Sequence, residues 1–263
     1  MKKWRSGFTL IEVSLFLAVT GLLFVGIALG TQNSINQQRS YDSIQNFAEF
    51  LKSVYSEVSN PQSVGDGRSD RAIYGKLITF DEEYDLSGNK NDRKLIFVYD
   101  VIGDVKGNAG AGEIKTILKG LRANVAIKNG TETLPAGIVE SYVPRWQAEI
   151  ENVGDDNQYH GSVLIVRHPR SGTINTLASD SPVEVNTWIY VERRDESSIE
   201  KLFAGQLDSF FERDVDFCIN SSGRESSDKR TDIRIVNNAH NASGVEIIGL
   251  DDNSPNGNRC RKW

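Results

Sequence analysis

Residues 1–30 read MKKWRSGFTLIEVSLFLAVTGLLFVGIALG, and this stretch decides how the chain is organised. Between Phe8 and Gly30 most residues are Leu, Ile, Val, Phe or Ala, and Glu12 is the one charged side chain. As a helix, the segment would be about 34 Å long, which is enough to cross the hydrocarbon core of a bilayer. It therefore predicts a membrane-spanning helix that carries a carboxylate near its start.

Basic residues on the two sides of the apolar segment predict its orientation. Lys2, Lys3 and Arg5 precede it, whereas the segment that follows, TQNSINQQRS, contains only Arg39. An excess of Lys and Arg keeps that flank of a span in the cytoplasm. We therefore expect a single-pass protein of the cytoplasmic (inner) membrane, with its N-terminus inside and its globular part outside the cytoplasm.

The bond between Gly7 and Phe8 is the best candidate for processing. An ordinary secretory signal has a shorter apolar region and is removed whole, whereas a cut here removes the basic residues and leaves the helix on the mature protein. A carboxylate within a membrane costs about 3 kcal/mol at the bilayer centre and is a functional-site hypothesis by default. We expect Glu12 to pair with the new Phe8 amine of a neighbouring copy, which would favour one packing register. The alternative is a lone glutamate tolerated near a helix end.

The stretch GFTLIEVSLFLAVTG resembles the N-terminal signature of type IV prepilins and of the pseudopilins of type II secretion. The shared features are a basic leader that ends in Gly7, Phe8 at the cut, Glu12 at the fifth mature position and a retained apolar helix. The resemblance covers about the first thirty residues. It implies that a membrane-bound prepilin peptidase cuts after Gly7 and methylates the Phe8 amine, and that Glu12 guides subunit docking.

A helical pattern continues beyond the apolar segment, and Asn60-Pro61 ends it because proline disfavours helix at the preceding residue. One helix from Phe8 to about Ser59 would be roughly 75 Å long. Its first half would face lipid or other subunits, and its second half would pack on a folded domain. The alternative is a membrane anchor followed by a separate helix. The apolar positions that recur at three- and four-residue steps are Ile35, Tyr41, Ile44, Phe47, Leu51, Val54, Tyr55 and Val58.

The rest of the chain reads as short strands separated by Gly, Asn, Asp, Ser and Pro. Only SSIEKLFAGQLDSFFER has a competing helical pattern, with Ser198 as a candidate N-cap. We predict an α+β fold in which the long N-terminal α-helix packs on a mostly antiparallel β-sheet domain. The segments read as strands are RAIYGKLITF, RKLIFVYDVI, EIKTIL, ANVAIK, GIVESYV, GSVLIVRH, VNTWIYVE, DVDFCIN, TDIRIVNN and GVEIIGL. The predicted units are a leader (1–7), a transmembrane or filament-core helix (8–30), its amphipathic continuation (31–60) and an extracytoplasmic β-rich domain (61–263).

A second, shorter resemblance lies near the C-terminus. FCINSSGRESSDKRTDIRIV followed by GVEIIGL is similar to the closing strands of FimT/GspH-like minor pilins and pseudopilins. The length of 263 residues also exceeds that of many major pilins. Both features favour a minor subunit.

The two cysteines, Cys218 and Cys260, fall in the part expected outside the cytoplasm, where disulfides persist. A disulfide between them would be worth about 3 to 4 kcal/mol in the chain-entropy model, and it resembles the disulfide-bounded region of many pilins. The alternative is two unpaired thiols. Without a matching histidine cluster, two cysteines do not make a zinc site.

No catalytic motif surrounds the scattered His160, His168 and His240, so we predict no enzyme activity, no cofactor and no metal. A calcium loop is the alternative for LDDNSPNGN, but its spacing is not that of an EF-hand and a solvated turn is favoured. Its oxygen-bearing side chains are Asp251, Asp252, Asn253 and Asn256.

The negative net charge of the chain disfavours nonspecific binding to nucleic acid. Without the leader, 27 Lys and Arg face 36 Asp and Glu, a side-chain net charge of −9. The tail NRCRKW is a local exception, and it loosely resembles the basic C-termini of DNA-capturing FimT-like minor pilins, although the glycine expected before the first arginine is absent. Its candidate DNA-binding residues are Arg259, Arg261, Lys262 and Trp263. The alternative is a plain solvated terminus.

These observations together predict a minor pilin, a structural subunit of a type IV pilus-like filament that reaches the cell surface after assembly. The expected partners are other pilin subunits, a prepilin peptidase, an inner-membrane assembly platform and, before assembly, membrane lipid. Extracellular DNA is an alternative ligand. The other functions left open are a type II secretion pseudopilin, a DNA-capturing minor pilin and a simple membrane-anchored surface protein, which would not be cut at Gly7.

Overall fold

The computed structural model of the chain describes one long helix and fifteen strands. The residues it describes are 9–60, 62–63, 71–81, 95–104, 118–122, 128–129, 132–133, 138–153, 162–168, 171–179, 189–190, 205, 207–220, 231–237, 241–248 and 260. 

The long helix, α1, spans Leu10–Ser59 without interruption and has 50 residues. It begins after Thr9 and ends at Asn60, whose extended backbone (φ −111°, ψ 94°) turns the chain away just before the proline. The expectation of a single continuous helix is confirmed, with a start two residues after Phe8, which itself lies outside the described residues. The segment Leu10–Ala28 has a mean hydropathy of 2.3 and no buried residues, so it is long and apolar enough to cross a membrane.

The second half of α1 is built into the domain core. Its apolar residues from Ile44 to Val58 are buried at the predicted helical spacing. The prediction was wrong for Ile35 and Tyr41, which are 47% and 63% exposed. Tyr41 lies between Arg39 and Ser43, which both face the Arg145–Trp146 turn, so Tyr41 is on another face of the helix. Ile35 lies one helical turn before Arg39.

The strands are numbered here in chain order and arranged in three sheets. They are β1 (Gln62–Ser63), β2 (Arg71–Asp81), β3 (Leu95–Asp104), β4 (Leu118–Arg122), β5 (Lys128–Asn129), β6 (Glu132–Thr133), β7 (Ile138–Tyr142), β8 (Glu149–Val153), β9 (Ser162–Arg167), β10 (Ile174–Ser179), β11 (Ile189–Tyr190), β12 (Phe210–Glu212), β13 (Val215–Asn220), β14 (Thr231–Ile235) and β15 (Val245–Ile248).

The largest sheet has nine strands in the order β11-β4-β3-β2-β9-β10-β12, with β1 also paired to β2 and β7 to β3. A second sheet has the order β15-β14-β13-β8, and β5 and β6 form a separate pair. Every described pairing is antiparallel except that of β11 with β4. The predicted α+β fold is therefore confirmed.

The helix lies in a core shared by both sheets. Phe47 contacts Phe217 of the smaller sheet edge to face, with ring centroids 5.5 Å apart, and the same apolar cluster contains Val163 and Ile165 of the large sheet. The intervening Leu164 of β9 belongs to a second cluster on the opposite face. The large sheet therefore buries both faces, one of them against α1.

Most predicted strands within the described residues are present, and five unpredicted ones appear, two of them the two-residue strands β1 and β6. EIENV and INTLAS form β8 and β10, and Phe210–Glu212 forms β12. The helical alternative for SSIEKLFAGQLDSFFER is confirmed at Gly205 and Leu207, which are helical. It was wrong at the end of the segment, because Phe210 is buried in the second cluster and its strand pairs with β10. Ser198 lies outside the described residues, as do most of EIKTIL, ANVAIK and VNTWIYVE.

Candidate functional site

The start of α1 is a reciprocal hydrogen-bonded cap formed by Thr9 and Glu12. Thr9 has an extended backbone (φ −76°, ψ 152°), and its hydroxyl accepts a hydrogen bond from the Glu12 N–H at 3.3 Å. In return, Oε2 of Glu12 accepts from the Thr9 N–H at 2.8 Å and from the Thr9 hydroxyl at 3.0 Å. This capping box satisfies backbone donors that the first turn of a helix otherwise leaves unpaired.

The cap gives the Glu12 carboxylate a role within its own chain. The helix dipole also favours a negative charge at this end of α1. Both hydrogen bonds use Oε2, so Oε1 can accept a hydrogen bond from a donor of another subunit while the cap stays intact. The sequence interpretation missed Thr9, although its Thr-x-x-Glu spacing is a recognised signature of this cap. Gly7 and Phe8 lie outside the described residues.

The exposed half of α1 satisfies its polar groups internally, as a helix in lipid must. The hydroxyl of Ser14 donates to the carbonyl of Ile11 at 2.9 Å, and Thr20 donates to Phe16 at 2.8 Å. Its large apolar side chains are exposed around the whole helix, as expected of a segment that lies in lipid or among other helices.

The other end of α1 is fastened to the large sheet by polar contacts. The Tyr55 hydroxyl bonds to that of Thr176 in β10, and burial, the largest effect, raises the Tyr55 pKa. Arg167 of β9 donates from Nη1 to the carbonyl of Ser59, one of the acceptors that a helix C-terminus leaves unpaired. These contacts fix the C-terminal end of α1 on the large sheet.

A buried lysine lies beside this junction. Nζ of Lys76 is 2.7 Å from Glu57 and 2.6 Å from Asp100. Burial alone would lower the pKa of Lys76, but its hydrogen bonds and charge interactions with Asp100 and Glu57 outweigh burial and raise it. Nearby, burial and then the Glu57 charge raise the pKa of Glu140, against the effect of Lys76. Burial also raises the pKa of Tyr142 to about 12.

The predicted disulfide is present between Cys218 of β13 and Cys260, whose Cα atoms are 5.5 Å apart. It holds Cys260 against the smaller sheet. Nε of Arg234 lies 2.5 Å from Oδ1 of Asp216 on the adjacent strands β14 and β13. Sequence reasoning missed this buried ion pair, because only the strand register brings the two residues together.

The remaining predicted site residues are not brought together within the described part of the chain. His168 accepts a hydrogen bond from the Ser171 N–H at Nδ1, 3.2 Å away. The described residues contain no group of three His, Cys, Asp or Glu side chains able to hold a metal ion. The candidates outside the described residues are His160, His240, Asp251, Asp252, Asn253, Asn256, Arg259, Arg261, Lys262 and Trp263.

Comparisons with protein-family models, curated proteins and solved structures give no match for this chain.

Proposed function

We propose that this chain is a minor pilin, a structural subunit of a type IV pilus-like filament that is cut after Gly7 and assembled through α1. The observation that supports this most directly is the division of one continuous helix into two environments. The helix is apolar and exposed over Leu10–Ala28 and forms part of the domain core from Ile44 onward. A helix of this kind can lie in lipid before assembly and among other helices after it, with the same domain attached throughout.

The proposed mechanism begins with the precursor in the inner membrane, its basic flank inside and its domain outside. A prepilin peptidase removes the flank and methylates the Phe8 amine, which frees α1 for extraction by an assembly platform. Oε1 of Glu12 then accepts a hydrogen bond from the amine of a neighbouring subunit, while Oε2 keeps its hydrogen bonds to Thr9. A helix packed in the wrong register would bury one of these charges without its partner, which is strongly destabilising. The pair therefore favours the correct register mainly by destabilising the others.

The test is mass spectrometry of the N-terminal peptide, taken separately from filaments sheared off cells and from the membrane fraction. A methylated Phe8 terminus in the sheared filaments supports a surface pilus subunit. The same terminus confined to the membrane fraction favours a type II secretion pseudopilin. An uncut Gly7-Phe8 bond in both fractions would overturn the proposal and favour a simple anchored surface protein.

A further inference from the structure

A charged and aromatic patch lies where α1 enters the domain. The guanidinium of Arg39 is 5.0 Å from the ring centroid of Trp146, within the range of a cation–π contact. Trp146 is 50% exposed, Arg145 beside it is exposed, and Ile35 is exposed one helical turn before Arg39. We call Ile35, Arg39, Arg145 and Trp146 the collar patch.

The backbone of Trp146 has an unfavourable conformation. Its φ of 58° and ψ of 34° are left-handed, and no other non-glycine residue has a positive φ among those that the structure describes. A bulky side chain is rarely found there, and such strain is typical of functional positions. The carbonyl of Arg145 accepts from the Ala148 N–H at 3.1 Å, which closes the turn. The hydroxyl of the buried Ser43 donates to the Arg39 carbonyl at 2.7 Å and lies 3.5 Å from the Arg145 carbonyl oxygen. 

The height of the collar patch along α1 places it near a membrane surface. A hydrocarbon core of about 30 Å holds about twenty helical residues, so with Glu12 at the cytoplasmic edge the opposite edge falls near residue 32. Ile35 then lies about 5 Å beyond that edge and Arg39 about 10 Å beyond it. The headgroup layer adds about 5 to 8 Å, and helical side chains point back toward the N-terminus. The guanidinium and the indole therefore reach headgroup level.

The chemistry of the patch matches that layer. Tryptophan is enriched at membrane–water interfaces, and arginine buries its stem while its charge binds phosphate. The two arginines stand out in a chain whose net charge is −6. We propose that the collar patch docks the domain on the phosphate-bearing headgroups of the membrane that α1 spans. This rests on the proposed membrane insertion, but not on filament assembly.

The test uses the full chain in lipid nanodiscs of phosphatidylcholine and phosphatidylglycerol, with one copy per disc and lipids brominated near the headgroup. Bromine quenches nearby tryptophans, and the difference between the wild type and Trp146→Phe isolates the signal of Trp146 from those of the other tryptophans. Arg39→Gln is the test variant. Lys52→Gln is its matched control, because it removes a cation from the same helix about 20 Å farther from the membrane.

We expect quenching of Trp146 in the wild type and in Lys52→Gln, and loss of most of it in Arg39→Gln. Equal quenching of the wild type and Trp146→Phe in one-copy discs would overturn the proposal. If Trp146 is unquenched in one-copy discs and becomes shielded from solvent only in discs that hold two copies, the proposal is overturned and the patch belongs to a second copy of the chain. A chain that fails to enter the discs at all would overturn membrane insertion, and with it the proposed function.

Discussion

Nζ of Lys76 in strand β2 lies 2.7 Å from Oε2 of Glu57 in helix α1, and this contact ties the long helix to the large sheet. Asp100 of β3 approaches the same nitrogen to 2.6 Å. The Lys76 side chain is only 8% exposed, so its charge depends on these two carboxylates.

We expect Lys76→Met to lower the free energy of unfolding by about 3 to 5 kcal/mol, because it leaves the buried Asp100 charge without its ammonium partner. Denaturant unfolding of the full chain in detergent would measure this loss. Lys52→Met, a substitution of the same kind in α1, is the control and should cost far less. Equal losses in the two variants would mean that the buried ion pair does not carry the effect.

Glu140 lies close to the same cluster and should make the free energy of unfolding fall as the pH rises. Most Asp and Glu side chains in folded proteins have the opposite effect. Its pKa is raised in the folded protein above the ordinary 4.5, chiefly by partial desolvation of a side chain that stays exposed at its surface. The folded state therefore holds the proton more tightly than the unfolded state, and stability falls as the pH rises from 4.5 through the folded-state pKa. We expect Glu140→Gln to be more stable than the wild type at neutral pH.

That advantage should disappear below pH 4.5, where Glu140 is protonated in both states. Denaturant midpoints measured across this pH range would follow it, with Glu246→Gln at an exposed strand position as the control. A gain that persists in acid would point to packing rather than titration.

The long helix and the main strands could be predicted because their signals are local. Asn60-Pro61 marks the end of α1, and runs such as GSVLIVRH carry enough β-branched residues to identify a strand. The disulfide could be predicted because the chain has two cysteines, both in the part expected outside the cytoplasm. Thr9 shows a local signal that was present in the sequence but missed.

Other features depend on distant parts of the chain. β10 contains Asn175 and Thr176, and it becomes a buried strand because β9 pairs along its full length and Tyr55 bonds to Thr176. Lys76 looks like a surface lysine until the register of β2 and β3 places Asp100 directly opposite. The left-handed backbone of Trp146 likewise has no local signal, because part of its surroundings comes from α1, where Arg39 faces the ring and Ser43 lies near the Arg145 carbonyl.

The need for glycine at position 75 also could not be predicted from local sequence, because it comes from the neighbouring strand β9. A Cβ atom at this position would lie 2.4 Å from the Ile165 carbonyl oxygen and 2.6 Å from Cγ1 of Val166. We expect Gly75→Ala to destabilise the domain by about 1 to 3 kcal/mol, as overpacking of a tight core does. Thermal unfolding would measure it. Gly205→Ala is the control and should not lower stability, because a Cβ there meets nothing within 4 Å and alanine is favoured over glycine at a helical position.

Reduction of the Cys218–Cys260 disulfide should lower the free energy of unfolding by about 3 to 4 kcal/mol in the chain-entropy model, because the bond closes a loop with a sequence separation of 42 residues. Denaturant unfolding with and without reductant would measure the loss. The Cys218→Ala/Cys260→Ala double variant is the control, and its stability should not respond to reductant. A response of the same size in the double variant would place the effect elsewhere.

Glu12 has two candidate roles that different substitutions separate. In Glu12→Gln the side-chain amide oxygen can still accept from the Thr9 N–H, so the cap survives while the charge is lost. In Thr9→Ala the charge survives while the hydroxyl half of the cap is lost, at a cost of about 1 kcal/mol. If the carboxylate pairs with the Phe8 amine of a neighbour, incorporation into filaments should depend on the charge.

We therefore expect Glu12→Gln to be cleaved normally after Gly7 but incorporated about tenfold less, since a charge-assisted hydrogen bond is worth about 1.5 to 3 kcal/mol and 1.4 kcal/mol is a factor of ten. Thr9→Ala should be incorporated nearly as well as the wild type. The ratio of subunit in sheared filaments to subunit in membranes measures both. The reverse result, with Glu12→Gln incorporated and Thr9→Ala excluded, would assign Glu12 to the cap alone and remove the intersubunit pair from the proposed mechanism.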